Sequence, residues 1–148
     1  MVTRMDDASL FEKLLQIRNI RADGLARQLA ALRHRLVDME AEAEALALDL
    51  HSTGERADAA SPTRLLQPGQ RVNGQELHKS LRQAAMVKAE LEQLRQRHRS
   101  VEGERLNVKE AAAQYAVGLA RVVLIVRRTE CVLESLKEDA PGADDRSG

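Results

Sequence analysis

The sequence predicts an all-α fold in which two long helices form an antiparallel coiled-coil hairpin, the second helix longer than the first. Three observations carry this. The first is a stripe that steps 3 and 4 without a slip through Leu77, Ser80, Ala84, Val87, Leu91, Leu94, His98, Val101, Arg105, Val108, Ala112, Tyr115, Leu119, Val122, Val126, Thr129, Leu133 and Leu136; fourteen of these eighteen residues are apolar. A repeat of that period sustained for so long belongs to a coiled-coil helix. The second is a matching stripe, Leu25, Leu29, Leu32, Leu36, Met39, Ala43, Leu46 and Leu50, which is apolar throughout. The third is composition. The chain has one Phe, one Tyr, no Trp and 31% charged residues, so it lacks the aromatic bulk on which globular cores draw and has the make-up of long helices.

The 148 residues make one domain. Helix 1 is expected over about residues 7–53. Ser9-Leu10-Phe11-Glu12 reads as a capping box, with Asp6 and Asp7 as competing caps. Upstream of Leu25 the frame shifts to Leu14, Ile17, Arg21, a stutter that would locally unwind the supercoil. Gly54 stands where a helix could end in a left-handed residue after Thr53. Residues 54–73, with Ser61, Pro62, Pro68 and Gly69, then break the pattern and form a long loop. Helix 2 opens at Asn73-Gly74-Gln75-Glu76, a second capping box, and runs over about residues 74–139 until Ala140-Pro141-Gly142 stops it; residues 140–148 read as a disordered tail.

Matching the innermost heptads, Leu50 against Leu77, gives facing residues whose numbers sum to about 127. In that register Gly24 faces Gly103 in a soft midsection, and Phe11 and Tyr115 lie at similar height. Helix 1 would run out opposite Leu119–Arg121. The very apolar segment Arg121-Val122-Val123-Leu124-Ile125-Val126-Arg127-Arg128 would then have no intramolecular partner. A lone helix of that kind is not stable in water; it is buried in a partner, pairs with itself in a dimer, or the register differs. A second, milder apolar stripe, Leu77, Leu81, Ala84 and Lys88, widens the face at the start of helix 2, either as shielding of the seam or as a docking surface near the loop.

Charge and chemistry narrow the function. The net charge is zero, but Lys13–Arg35 and Arg95–Arg128 are basic while Asp38–Asp49 holds five acids and no base, either a solvated helix surface or a basic part facing an acidic partner. Single Cys131 forms no internal disulfide and suits a reducing cytosol; no signal peptide and no membrane span are expected. His34, His51, His78 and His98 are not spaced for metal ligation, His98 is expected to pack in the seam, and no Gly-rich phosphate loop is present. No metal or cofactor is therefore expected. Acid–base catalysis needs a desolvated site, which two paired helices do not provide, so the chain is expected not to be an enzyme. Nucleic-acid binding through the basic segments lacks stacking aromatics and a recognition module, and ranks behind a self-associating scaffold as an alternative.

The run Leu14-Leu15-Gln16-Ile17-Arg18-Asn19-Ile20-Arg21-Ala22-Asp23-Gly24-Leu25-Ala26 resembles the opening helix of the stalk proteins of type III secretion and flagellar export, the FliJ and YscO type. The length, the mid-chain loop and the opening Val72-Asn73-Gly74-Gln75-Glu76-Leu77 of a longer second helix are similar too. The resemblance implies a cytoplasmic, non-enzymatic central stalk, peripheral to the membrane-embedded secretion apparatus. Its termini would enter the hexameric export ATPase, its other end would reach the export gate, and it would handle export chaperones. Carried over by position, Leu14, Ile17, Arg18, Arg21, Val122, Ile125, Val126 and Arg127 would meet the ATPase, and Leu77, Leu81, Ala84 and Lys88 the gate. The low aromatic content departs from some members of the family.

Overall fold

A computed structural model of the chain describes residues 4–61, 71 and 73–147. They form two helices, α1 (Arg4–Ala59) and α2 (Gly74–Ser147), which pack together as the expected all-α hairpin with the longer helix second. Among the described residues there is no strand. Burial follows the repeat. Every residue of the eighteen-membered α2 stripe is buried or half-buried, and so is every residue of the Leu25–Leu50 stripe of α1. In heptad letters a to g, Leu77 and its successors at seven-residue spacing are a positions of α2, and Ser80 and its successors are d. In α1 the a set runs through Leu15, Ala22, Leu29 and onward; the d set runs through Phe11, Arg18, Leu25 and onward.

The start of α2 is as the sequence predicts. The Asn73 side-chain oxygen accepts a hydrogen bond from the Gln75 backbone N–H at 3.1 Å, and its carbonyl accepts from the Leu77 N–H at 3.0 Å, so one side chain satisfies an otherwise orphan helix donor. The other boundaries differ. Helix α1 begins at Arg4, so Ser9 lies within it, and Asp6 and Asp7 occupy its first turn, where the helix dipole favours acids. Nor does α1 stop at Thr53. It passes through Gly54 to Ala59 and closes with the Ala60 N–H on the Arg56 carbonyl at 2.9 Å. The reason is the seam: Thr53 is buried, and Ala57 and Ala60 continue the 3-4 spacing, which outweighs the roughly 1 kcal/mol cost of a helical glycine. Much of the expected 54–73 loop, residues 62–70 and 72, lies outside the described residues. Helix α2 carries on through Pro141, which gives up one backbone hydrogen bond, to Ser147 in place of the expected tail.

Two further expectations fail. There is no stutter in α1. The seam continues upstream from Leu25 through Ala22, Arg18, Leu15 and Phe11, all half-buried, while Ile17 and Arg21 are exposed. The sequence carries two adjacent stripes here, and the helix buries the one in register. The pairing of the helices is also shifted. Arg18 contacts Thr129, Glu12 contacts Lys137, Glu42 contacts Arg97, Arg56 contacts Glu90, and Ala43 and Leu46 pack with Val101. Facing numbers thus sum to roughly 145, not 127. A seam with a seven-residue period can slide by whole heptads, and the observed register is the one that pairs the α1 stripe from Phe11 to Ala60 with the α2 stripe from Val87 to Leu136, where the 127 register would leave the α2 stripe beyond Leu119 without α1. The 127 register would set Arg18 against Lys109; the observed one forms three interhelical ion pairs.

The chain divides into two compact units. Unit 1 comprises Met1–His34 and Lys109–Gly148, and unit 2 comprises Arg35–Val108. Gly24 belongs to unit 1 and Gly103 to unit 2, so the expected soft midsection of two facing glycines does not exist. Phe11 and Tyr115 are likewise apart in register: Glu12 and Lys137 place Phe11 near Leu133.

Candidate functional site

The flanks of the seam differ in kind. In an antiparallel pair the g positions of the two helices face each other along one flank and the e positions along the other. The ion pairs show it: Arg56–Glu90 at 3.0 Å and Glu42–Arg97 at 3.5 Å join g residues in unit 2, and Glu12–Lys137 at 3.3 Å joins e residues in unit 1. In unit 1 the middle of the g flank, the c positions beside it and the outward f positions are rich in apolar side chains. From α1 they carry Leu10, Leu14, Ile17 and Ile20; from α2, Val117, Leu124, Ile125, Cys131 and Val132. Leu14 is half-buried and the rest are exposed: Ile17 is 65% exposed, Ile20 66% and Ile125 39%.

The same positions carry Lys13, Arg21, Arg27, Arg121 and Arg128, all exposed. No acid stands at any c, f or g position between Leu10 and Arg27 or between Val117 and Val132. Glu12 and Glu130 are e residues and Asp23 is a b residue, so the acids of these segments sit on the other side. The result is an apolar surface whose middle carries cations only, with Asp7, Glu110 and Asp139 at its ends. Single exposed apolar residues are ordinary; a contiguous set on one face marks a docking surface.

This geometry redistributes the residues that the sequence singled out. Leu14, Ile17, Arg21 and Ile125 come together on the face. Arg18, Val122 and Val126 do not. The two valines are 8% exposed and belong to the seam, and the segment Arg121–Arg128 is covered on one side by α1 instead of standing alone. Arg127 is at an exposed b position away from the face. Leu124 belongs to the apolar segment that the sequence marks, whereas Leu10, Ile20 and Val132 stand out only as c, f and g positions once the seam of each helix sets the frame.

Within the seam, Thr129 is 2% exposed and fully engaged: its hydroxyl accepts from an Arg18 guanidinium nitrogen and donates to the Ile125 carbonyl at 2.8 Å. Hydroxyl and guanidinium thus satisfy each other where both would be costly alone. Arg105, also in the seam, is held by Glu102 through its Nε at 3.2 Å and Nη2 at 3.0 Å. It lines a shallow cleft in unit 2 with Glu40, Glu44 and His98, so His98 sits half-buried beside acids.

At the opposite candidate patch, Leu77 and Ala84 are half-buried a positions, and Leu81 and Lys88 are exposed e positions. On the g flank nearby, Arg56, Ala60 and Ser61 border a groove with Ser80, Gln83 and Val87. Among the described residues no group of three His, Cys, Asp or Glu could hold a metal ion, and no helix is long and apolar enough to cross a membrane. No family model, curated protein or solved structure matches this chain.

Proposed function

We propose that the protein is a non-enzymatic interaction element, and specifically the central stalk of a type III export apparatus in the cytoplasm. In this reading unit 1 enters a hexameric export ATPase, unit 2 reaches a component of the export gate, and export chaperones are further partners. The observation that carries the reading is the apolar and basic face of unit 1, on which Leu14, Ile17, Arg21 and Ile125 lie together. The resemblance of Leu14–Ala26 to the stalk family supplies the identity of the partner. A stalk of this kind hydrolyses nothing; it transmits what happens in the ring through contacts that are apolar and electrostatic, hence tolerant of orientation.

The test is co-purification with an export ATPase of the same system. Replacing Ile17, Leu124 and Ile125 with Ser is expected to abolish retention while leaving helical circular dichroism unchanged. Val122 and Val126 are unsuitable for this purpose because they are seam residues. Undiminished retention of the triple variant rejects the reading. A stable dimer by light scattering that the same triple variant disrupts would favour a self-associating scaffold.

A further inference from the structure

We infer that the g flank of unit 1 is a cradle for a third helix, and that the helix it takes is an acidic amphipathic helix of a partner protein. The proposal rests on unit 1 being a protein-docking element, as above, but not on the partner being a ring ATPase.

The geometry of the flank sets the mode. Two parallel rows of exposed apolar side chains, Leu10 and Ile17 from α1 and Ile125 and Val132 from α2, run along either side of the inter-helix groove. They recur at near-heptad spacing: Leu10 and Ile17 are successive c positions, and Ile125 and Val132 are successive g positions. A third helix with its own apolar stripe meets both rows at once, which completes a three-helix bundle and is the helix-in-groove mode of recognition. A Cβ placed on Gly118, at the g position preceding Ile125, would meet nothing within 4 Å, so the groove is open at that level.

Charge selects the occupant. Arg21 on one row and Arg121 and Arg128 on the other flank the middle of the groove, with no acid between Leu10 and Arg27 or between Val117 and Val132 at c, f or g; Asp7, Glu110 and Asp139 stand at its ends. A visiting helix therefore satisfies the rims with Glu or Asp beside its apolar stripe, and a helix with Lys or Arg there is repelled. The same fact disfavours a second copy of this chain, because a two-fold pairing of the face sets cations against cations. An anionic lipid surface fits the charge but not the side chains. Membrane-surface helices draw on Trp and Phe, whereas no Trp exists in the chain and Phe11 is turned into the seam.

The experiment is a display selection against the full chain. The library encodes single helical peptides of four heptads with Leu, Ala or Ser at a and d and an equal mixture of Glu and Lys at the flanking e and g positions. The expected result is enrichment of peptides with Leu at a and d and with Glu over Lys at the flanks by about tenfold or more. Synthesised, the selected peptide should bind with affinity that falls with added salt and drops at least roughly tenfold for the Ile17→Ser, Ile125→Ser variant. Arg121→Glu, Arg128→Glu should shift selection toward Lys. These four side chains are exposed, so circular dichroism should show both variants folded. No enrichment, equal use of Glu and Lys, or a peptide indifferent to the Ile variants overturns the proposal. So does binding to vesicles containing phosphatidylserine, or a dimer, that the Ile variants abolish while peptide binding stays. Because no ATPase is used, the outcome is independent of the co-purification test.

Discussion

In unit 2 the g positions hold Arg35, Glu42, Asp49 and Arg56 in α1, and Glu76, Gln83, Glu90, Arg97 and Glu104 in α2. In unit 1 they hold Asp7, Leu14, Arg21 and Gln28, with Ala111, Gly118, Ile125, Val132 and Asp139. The flank is thus polar throughout in one unit, where two ion pairs bridge the helices, whereas in the other Leu14, Ala111, Ile125 and Val132 interrupt the polar residues. Unit 2 also exposes apolar side chains, but they are divided: Val37, Leu81 and Leu106 fall at b and e on the e side, Leu48 and Met86 at f and c, and no g position of unit 2 is apolar. The lesson is that one seam repeat can serve two ends. Where the flank is charged, ion pairs bridge the two helices; where it carries apolar side chains, it has the surface on which the proposed docking rests.

The comparison breaks if the two seams are not equivalent in stability. Leu46→Ala in unit 2 and Leu133→Ala in unit 1 remove well-buried side chains, and each is expected to cost about 2–4 kcal/mol by chemical denaturation. A loss under about 1 kcal/mol for Leu133 alone would mean that the unit 1 seam is loose and that its apolar residues do not hold the pair together.

Smaller and sharper is the polar layer of unit 1. Thr129→Val is expected to cost about 1–2 kcal/mol by leaving Arg18 without its seam partner. Arg18→Leu combined with Thr129→Val should recover most of that loss, since an apolar pair replaces a polar one. Additive losses in the double variant would show that the two residues do not act together.

Gly24 in unit 1 and Gly103 in unit 2 test the helix backbone. A Cβ at either meets nothing within 4 Å, so each change to Ala should stabilise by about 1 kcal/mol, read as a rise in melting temperature. A destabilising Gly24→Ala would reveal a close neighbour on the unit 1 face. Least of all, breaking Arg56–Glu90 or Glu42–Arg97 by single Ala substitutions should cost about 0.2–1 kcal/mol and less in high salt, as both pairs are solvent-exposed. A larger effect would make the charged flank of unit 2 a stabiliser in its own right.

Much was legible in the sequence. The period of 3 and 4 along Leu77–Leu136 and Leu25–Leu50 named the helices and their buried faces, because a heptad pattern is a local property of one chain segment. Asn73 announced the start of α2 for the same reason. The face of unit 1 was half legible: Leu14, Ile17, Arg21 and Ile125 were picked out, but mixed with the seam residues Arg18, Val122 and Val126.

What tertiary structure alone decided was the register. Each heptad resembles the next, so the sequence cannot fix how far one helix slides along the other. Mutual burial of the two full stripes fixes it, and the pairing of Glu12 with Lys137 and of Arg56 with Glu90, far apart in the chain, shows the result. That choice moved Val122 and Val126 from an imagined bare tip into the seam, took α1 past Gly54 to Ala59, and told the two stripes of its first turns apart. The sequence by itself determined that two helices would bury one stripe each; packing between distant segments decided which stripe was left over, and therefore where a partner has room to bind.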